Sequence, residues 1–500
     1  MAHPHDDDRM AEMAGRERRL GLWDVTSLVV GIVVGTSIFR ASTQVFQNTA
    51  GPWEALAAWL LGGGLSLVGA LCYAELATTY TRSGGDYEYL TQAYGRWAGF
   101  LFGWAQLVAV WTASVGTMAY AFGDYGVRLW DLEESAVVWL AATAVIAVAV
   151  VNAGGLVVGK WTQNILTAVK VVGLGGVVLA GLACPASRGV PAPGAPGERG
   201  SETLPANSNI GAAEDSDSDG SPAAPTISFA LAMVFVLYTY GGWNDAAFVA
   251  AEVRHPKRNL PLALLGGVGG VTLIYLAVNA AYLGALGFEG ARQSTTPAAD
   301  AVAAAMGSIG ADLVSALVMI SALGAINGMI FAGSRVFAVF GEDHRLVAWL
   351  GAGYSRRGAP RAAIAAQSAV TLGMIFGVGT DGGRDAIDAA FRAIGAPAIP
   401  WDDYHGGFET LLAATAPVFW TLFLAVGVAL MVLRWRNPAR ERPFSVPFYP
   451  LPPLVFCATC LFMLYASLEY ARWLALLGAA PVAVGAVIYL AGRRRGRISP

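Results

Sequence analysis

Gly31-Ile32-Val33-Val34-Gly35-Thr36-Ser37-Ile38-Phe39 and Tyr238-Thr239-Tyr240-Gly241-Gly242-Trp243-Asn244-Asp245 are the two stretches on which the reading of this chain turns. Each lies in an apolar block long enough to cross a membrane, and each is interrupted by glycine and by hydroxyl or amide side chains. Glycine weakens a helix and lets a ligand approach the backbone closely. A helix broken there frees N–H groups at the start of its second segment, with partial positive charge suited to a carboxylate. The end of the first segment frees carbonyls, which can accept from an ammonium. Thr36 or Ser37 could add a hydroxyl donor. The plainer reading is that small residues let membrane helices pack closely. Matched placement of the two motifs, with the polar Asn244-Asp245 pair beside one of them, favours a binding site.

Outward from these stretches the composition is that of a membrane protein. Of 500 residues, 55% are hydrophobic and 13% charged, against roughly 25% charged in soluble domains. The apolar residues form uninterrupted blocks of about 18–25, the length that crosses a hydrocarbon core. The spacing predicts an all-α polytopic protein with about twelve spans, at 22–46, 54–79, 98–122, 135–152, 161–183, 227–251, 260–286, 310–338, 361–378, 408–433, 448–468 and 471–491. Spans 1–5 (22–183) and 6–10 (227–433) then form two halves, each opening on one of the glycine motifs, with spans 11 and 12 in 434–492. The polar start, with Asp6, Asp7 and Asp8, lacks the apolar core of a cleavable leader, so the first apolar block reads as a span.

Charge distribution orients the chain. With both termini inside, the segment 1–21, the tail 493–500 and the inner connections hold most of the arginines and lysines, including Arg16, Arg82, Lys160, Arg258, Arg356, Arg434 and Arg493. That is the positive-inside pattern, here expected in a plasma membrane. The outer connection 184–226 is rich in Pro, Gly, Ser and Asp and is expected to be disordered. A short helix is expected around 386–394. Cys457 and Cys460 read C-x-x-C inside an apolar helix, where packing is the better reading than metal or redox chemistry.

The motifs together resemble those of the amino acid–polyamine–organocation (APC) superfamily, closest to its L-type amino acid transporter branch. Span 1 is similar to the family's Gly-Ser-Gly-Ile-Phe stretch. Cys72-Tyr73-Ala74-Glu75-Leu76 followed by Ser83-Gly84-Gly85-Asp86-Tyr87 looks like its span 2 exit. Tyr240-Gly241-Gly242-Trp243-Asn244, then Glu252, Pro256 and Arg258-Asn259-Leu260-Pro261, match its span 6 signature. Asn327-Gly328 with Ser334-Arg335 resembles span 8, and Arg442-Pro443-Phe444 with Val446-Pro447 resembles the loop after span 10. The likeness covers most of 20–470. It implies a LeuT-like five-plus-five inverted repeat with two extra C-terminal helices. It also implies a substrate carboxylate beside Gly35, Thr36, Ser37 and Ile38, and an ammonium and side chain flanked by Tyr238, Tyr240 and Gly241, with Asn244 nearby. Tyr238 would take the position of the outer aromatic gate. Ser37 departs from the pattern, standing where the family has its second glycine.

Ionisable residues inside spans are costly and rare without a purpose. Lys170, midway along span 5, must find carbonyls or an acid, or become neutral. The resemblance implies that it takes the place of a sodium ion against the unwound part of span 1, as a coupling or organising residue. Asp24, Glu75 and Glu252, near the inner ends of spans 1, 2 and 6, read either as an inner gate of ion pairs or as solvated helix ends. Asp245 could accept from a substrate amine, carry a proton, or cap the second half of span 6. Arg40 reads either as a snorkelling outer residue or as a contact for an anionic group.

The function expected is secondary active, sodium-independent transport of neutral L-amino acids by alternating access, through exchange or proton coupling. A polyamine or organic-cation carrier and a transporter-like solute receptor are the alternatives. No nucleophile–base set, metal cluster or phosphate loop points to an enzyme or to a cofactor. The expected partners are the amino-acid substrate and the lipid bilayer, with no nucleic acid. Residues 123–134, after span 3, contain no cysteine, so no disulfide-linked heavy subunit is expected.

Overall fold

The computed structural model describes residues 20–82, 84–183, 228–294, 296–352, 359–393, 395–401 and 406–494. The expected disordered segment 185–225, nearly all of the first 21 residues and the last six lie outside the described residues.

The described residues form helices joined by short connections. The first span is two segments, α1 (Leu22–Val33) and α2 (Ser37–Gln47), bent by 51°. Then come α3 (Pro52–Thr79), a short α4 (Asp86–Tyr94), α5 (Arg96–Trp130), α6 (Ala136–Ala153) and α7 (Leu156–Ala183). The second half also opens on a broken element: α8 (Phe229–Thr239), then a 3-10 segment (Trp243–Glu252). It continues with α9 (Pro256–Gln293), a short α10 (Pro297–Met306), α11 (Ser308–Asp343), α12 (Arg361–Gly379), α13 (Asp381–Ala393) and α14 (Gly406–Arg436). Last are α15 (Leu451–Ala471) and α16 (Ala475–Arg494).

Among the described residues, nine helices are long and apolar enough to cross a membrane, or ten if α1 and α2 form one bent span. That count takes α15 and α16 together, yet the chain turns at Arg472, with φ +46°. Cys457 of α15 sits against Gly427 of α14, and Gly478 of α16 against Ala414. Since α14 runs from 406 to 436, α15 is antiparallel to it and α16 returns parallel. α8 is too short to qualify because the glycine break ends it after 11 residues.

Several helices outrun the apolar blocks that announced them. α5 extends to Trp130, whereas α9 kinks at Gly287, with φ +70°, where the apolar block ends, and a short helical segment continues to Gln293. The short helix expected over 386–394 runs Asp381–Ala393. Val172, Leu179 and Leu273 are 75%, 71% and 70% exposed; apolar side chains standing outward on helices suit contact with lipid rather than water. The interior holds polar links as well. Asn327 donates to Gln163 Oε1 at 2.8 Å and accepts from Asn152 at 2.8 Å, joining α11, α7 and α6. Cys72, Cys457 and Cys460 are buried and unbridged.

Candidate functional site

At the first break the residues after Val33 leave the helix, and their carbonyls lose their usual partners. Each of these buried acceptors needs a donor from elsewhere, and three other helices supply them. The Tyr275 hydroxyl of α9 lies 2.8 Å from the Val33 carbonyl. The Lys170 ammonium of α7 donates to the carbonyls of Gly31 at 2.7 Å, Val34 at 2.8 Å and Ser321 at 3.1 Å. The Ser321 hydroxyl of α11 reaches Val34 and Gly35 at 3.0 and 3.1 Å. Lys170 is fully buried, and three acceptors match the three N–H groups of an ammonium. The first-segment carbonyls, which the sequence reading offered to a substrate ammonium, are therefore engaged by the protein itself. Of the amides that open α2, that of Phe39 bonds the Thr36 carbonyl at 3.2 Å, and helix geometry gives those of Ser37 and Ile38 no intrahelical acceptor.

The second break turns on Gly242, whose φ of +100° suits a residue without a side chain. A Cβ there would stand 2.6 Å from Ile32 Cγ2, so the two interrupted helices touch at their breaks. The same Tyr275 hydroxyl that serves Val33 lies 3.2 Å from the Thr239 carbonyl and so ties one break to the other.

The expected site residues divide around this junction. Ser37, Tyr238, Gly241 and Gly242 are half-buried, whereas Gly35, Thr36 and Ile38 are buried. The Thr36 hydroxyl turns to Met118 Sδ at 3.7 Å. Tyr240 faces away: its hydroxyl donates to the Trp59 carbonyl at 3.0 Å, and its ring lies against Tyr275 with centroids 5.1 Å apart. Asn244 is buried on the far side of the break, and its Oδ1 closes no hydrogen bond.

The three expected inner acids each have cationic partners. Asp24 accepts from Lys160 at 3.2 Å and Asn164 at 2.8 Å, and also caps the Gly21 amide at 2.8 Å. Glu75 is gripped by Arg434, with Nε at 2.7 Å, and also accepts from the Val446 amide at 2.7 Å. Glu252 pairs with Arg335 at 3.3 Å, and the backbone beside it bonds to Leu20, whose amide donates to the Glu252 carbonyl at 3.0 Å. Arg82, also among the inner arginines, pairs instead with Asp343 at 2.6 Å and Glu88 at 3.2 Å. Both groups hold the Arg82 guanidinium firmly charged despite its burial. Arg40 pairs with Asp124 of α5 at 3.0 Å and covers the Phe408 ring at 5.0 Å.

Sequence reasoning missed Tyr275, Ser321, Asp124 and Arg434. Each reaches a partner more than eighty residues away, and no local pattern marks it.

Two interrupted membrane helices abutting at their breaks, with a buried ammonium bound to the unwound carbonyls, are the architecture of a solute carrier. The chain belongs to the amino acid permease family, whose profile matches residues 20–485. Within the APC superfamily it lies near the L-type branch, among transporters rather than enzymes. The human b(0,+)-type amino acid transporter 1 is 28% identical over 465 residues, covering 91% of this chain and 84% of that protein. The serine/threonine exchanger SteT of Bacillus subtilis (strain 168) is 27% identical over 460 residues, covering 91% and 92%. The human large neutral amino acids transporter small subunit 2 is 27% identical over 486 residues, covering 95% and 80%.

Proposed function

We propose that this protein carries neutral L-amino acids across the plasma membrane by alternating access, without sodium, as an exchanger or with proton coupling. The observation that carries the reading is the junction of the two breaks at Ile32 and Gly242. There the opening amides of α2 suit a carboxylate, while Ser37, Tyr238 and Gly241 offer surface to the rest of a zwitterion. Amino-acid transport is what the names of the relatives describe. Sodium independence is supported by Lys170, whose ammonium fills a nest of three carbonyls where a small cation would otherwise bind. Asp24, Glu75 and Glu252, each tied to a cation on another helix, serve as an inner gate that parts when the site opens inward. Both termini face the cytoplasm, and no disulfide-linked subunit is needed.

Purified protein in liposomes is the test. Labelled neutral amino acids should enter faster when amino acid is trapped inside, equally in sodium and choline media. Absence of counterflow across a broad amino-acid panel removes the reading. Gly241→Leu should abolish uptake while the protein stays folded, since a Cβ there meets only the Tyr238 carbonyl, at 3.1 Å. Normal uptake in that variant would displace the site.

A further inference from the structure

Below the second break lies a group of buried acids that the proposed substrate site does not use. Asp86, at the start of α4, and Asp245, in the 3-10 segment, are 3% and 8% exposed. They lie close enough for the charge of one to bear on the other. The elements carrying them are clamped together. The Gly84 amide donates to the Phe248 carbonyl at 3.2 Å, and a Cβ on Gly85 would meet Phe248 Cδ1 at 2.3 Å.

Among the described residues, no lysine, arginine or histidine forms an ion pair with either carboxylate. The groups facing Asp86 are the Tyr73 hydroxyl from α3 and the Asn244 side chain from the 3-10 segment. Tyr89 and Glu88 flank it on α4, and Glu88 is already engaged by Arg82 at 3.2 Å. Asp86 Oδ1, Asn244 Oδ1 and the Tyr73 and Tyr89 hydroxyls close no hydrogen bond. Two of those atoms are pure acceptors and two are hydroxyls able to donate, so the cluster is polar but holds no cation to balance its acids. Two carboxylates close together in a dry site without a cation do not both stay ionised, so one of the pair holds a proton. Burial pushes the Asp86 carboxyl up to about 8.

We propose that Asp86 and Asp245 share one exchangeable proton and that this pair couples transport to the proton gradient. The inference rests on the amino-acid carrier reading and chooses proton coupling within it. The step is a plain protonation: hydronium gives its proton to a carboxylate oxygen, leaving water and a carboxyl group. With the proton present, the pair carries one charge instead of two and the loop before α4 stays bonded to the 3-10 segment through Gly84 and Phe248. With it gone, two like charges push the segment away. Asp245 is three residues past Gly242, so that push acts directly on the break. Lys170 is not needed as the proton carrier, because its three donors are already matched.

The experiment uses full-length protein in liposomes containing a pH-sensitive dye, with labelled neutral amino acids added outside. A gradient of about one pH unit, alkaline inside, drives up to about tenfold accumulation at one proton per substrate, and the lumen acidifies as substrate enters. Asp86→Asn and Asp245→Asn should keep counterflow but lose both the gradient's effect and the acidification. Asp245→Glu, which retains a titratable group, should keep coupling with a shifted pH midpoint and serves if the asparagine variants misfold. Counterflow indifferent to pH in the wild type overturns the proposal while leaving the carrier reading intact. So does coupling that survives both asparagine substitutions, or a sodium gradient that replaces the proton gradient. Wild-type uptake of polyamines that disappears in Asp245→Asn overturns it in favour of a site for cationic substrates. No transport of any amino acid sinks the carrier reading and this proposal together.

Discussion

Gly242→Ala places one methyl group at the point where the two interrupted helices touch. The residue sits at φ +100°, and holding an L side chain in that region costs about 1–2 kcal/mol. The new Cβ would also stand 2.6 Å from Ile32 Cγ2, an overlap of the kind that costs about 1–3 kcal/mol in a filled core. If the whole of that about 2–5 kcal/mol falls on the conformations in which the breaks abut, transport slows by about thirtyfold to a few thousandfold. Ile32→Ala removes the overlap but not the backbone strain. The double variant should therefore recover only the overlap, a favourable coupling of about 1–3 kcal/mol. Counterflow rates of the four proteins in liposomes, normalised to monodisperse protein, give the cycle directly. A Gly242→Ala protein within twofold of wild type, with no coupling to Ile32→Ala, would refute the claim that this contact governs the breaks.

Other consequences are as direct. Lys170→Met leaves the Gly31 carbonyl without its donor, an orphan worth about 1–3 kcal/mol; counterflow should fall at least about fivefold and should not return when choline is replaced by sodium. Arg335→Met breaks the buried pair with Glu252 and should cost about 3–5 kcal/mol, read as a large drop in melting temperature in detergent. Arg40→Gln removes a partly exposed pair with Asp124, so stability should move by no more than about 1 kcal/mol, with any loss of counterflow arising from the transport cycle instead. His344, just past α11, is buried against Phe100, with ring centroids 5.1 Å apart, and burial lowers its pKa to about 4. The unfolded chain therefore binds a proton that the folded one does not between about pH 6.5 and 4, and stability falls as pH drops through that window. His344→Phe should flatten that part of the melting profile.

The sequence made both breaks legible because their signal is local: a glycine that interrupts an apolar block needs no partner to announce it, and at the second break Gly242 takes φ +100°. Lys170 was legible for the same reason, a charge standing where charges are expensive. What it would bind was left open between carbonyls and an acid, and the carbonyls belong to Gly31, Val34 and Ser321. The partners were hidden because they are long-range. Glu75 meets Arg434 across 359 residues and Val33 meets Tyr275 across 242; neither tyrosine nor arginine carries a spacing rule that identifies its acceptor. Tyr240 shows the complementary difficulty. Its place in the motif was clear, but whether its ring faces the junction or Trp59 depends on a rotamer, and the hydroxyl found Trp59.

The carbonyl end of α1 is held by Lys170, Tyr275 and Ser321, donors from three different helices, whereas α2 begins without such moorings. A swing of α1 alone would shed the ammonium's two bonds to Gly31 and Val34, each worth about 1.5–3 kcal/mol, and would slow by about two orders of magnitude or more. The fulcrum of the first span therefore lies at Val34–Thr36, and α2 is its lever arm, tilting once its outer ties to Asp124 and Ser294 part while its anchored neighbour stays with the surrounding bundle.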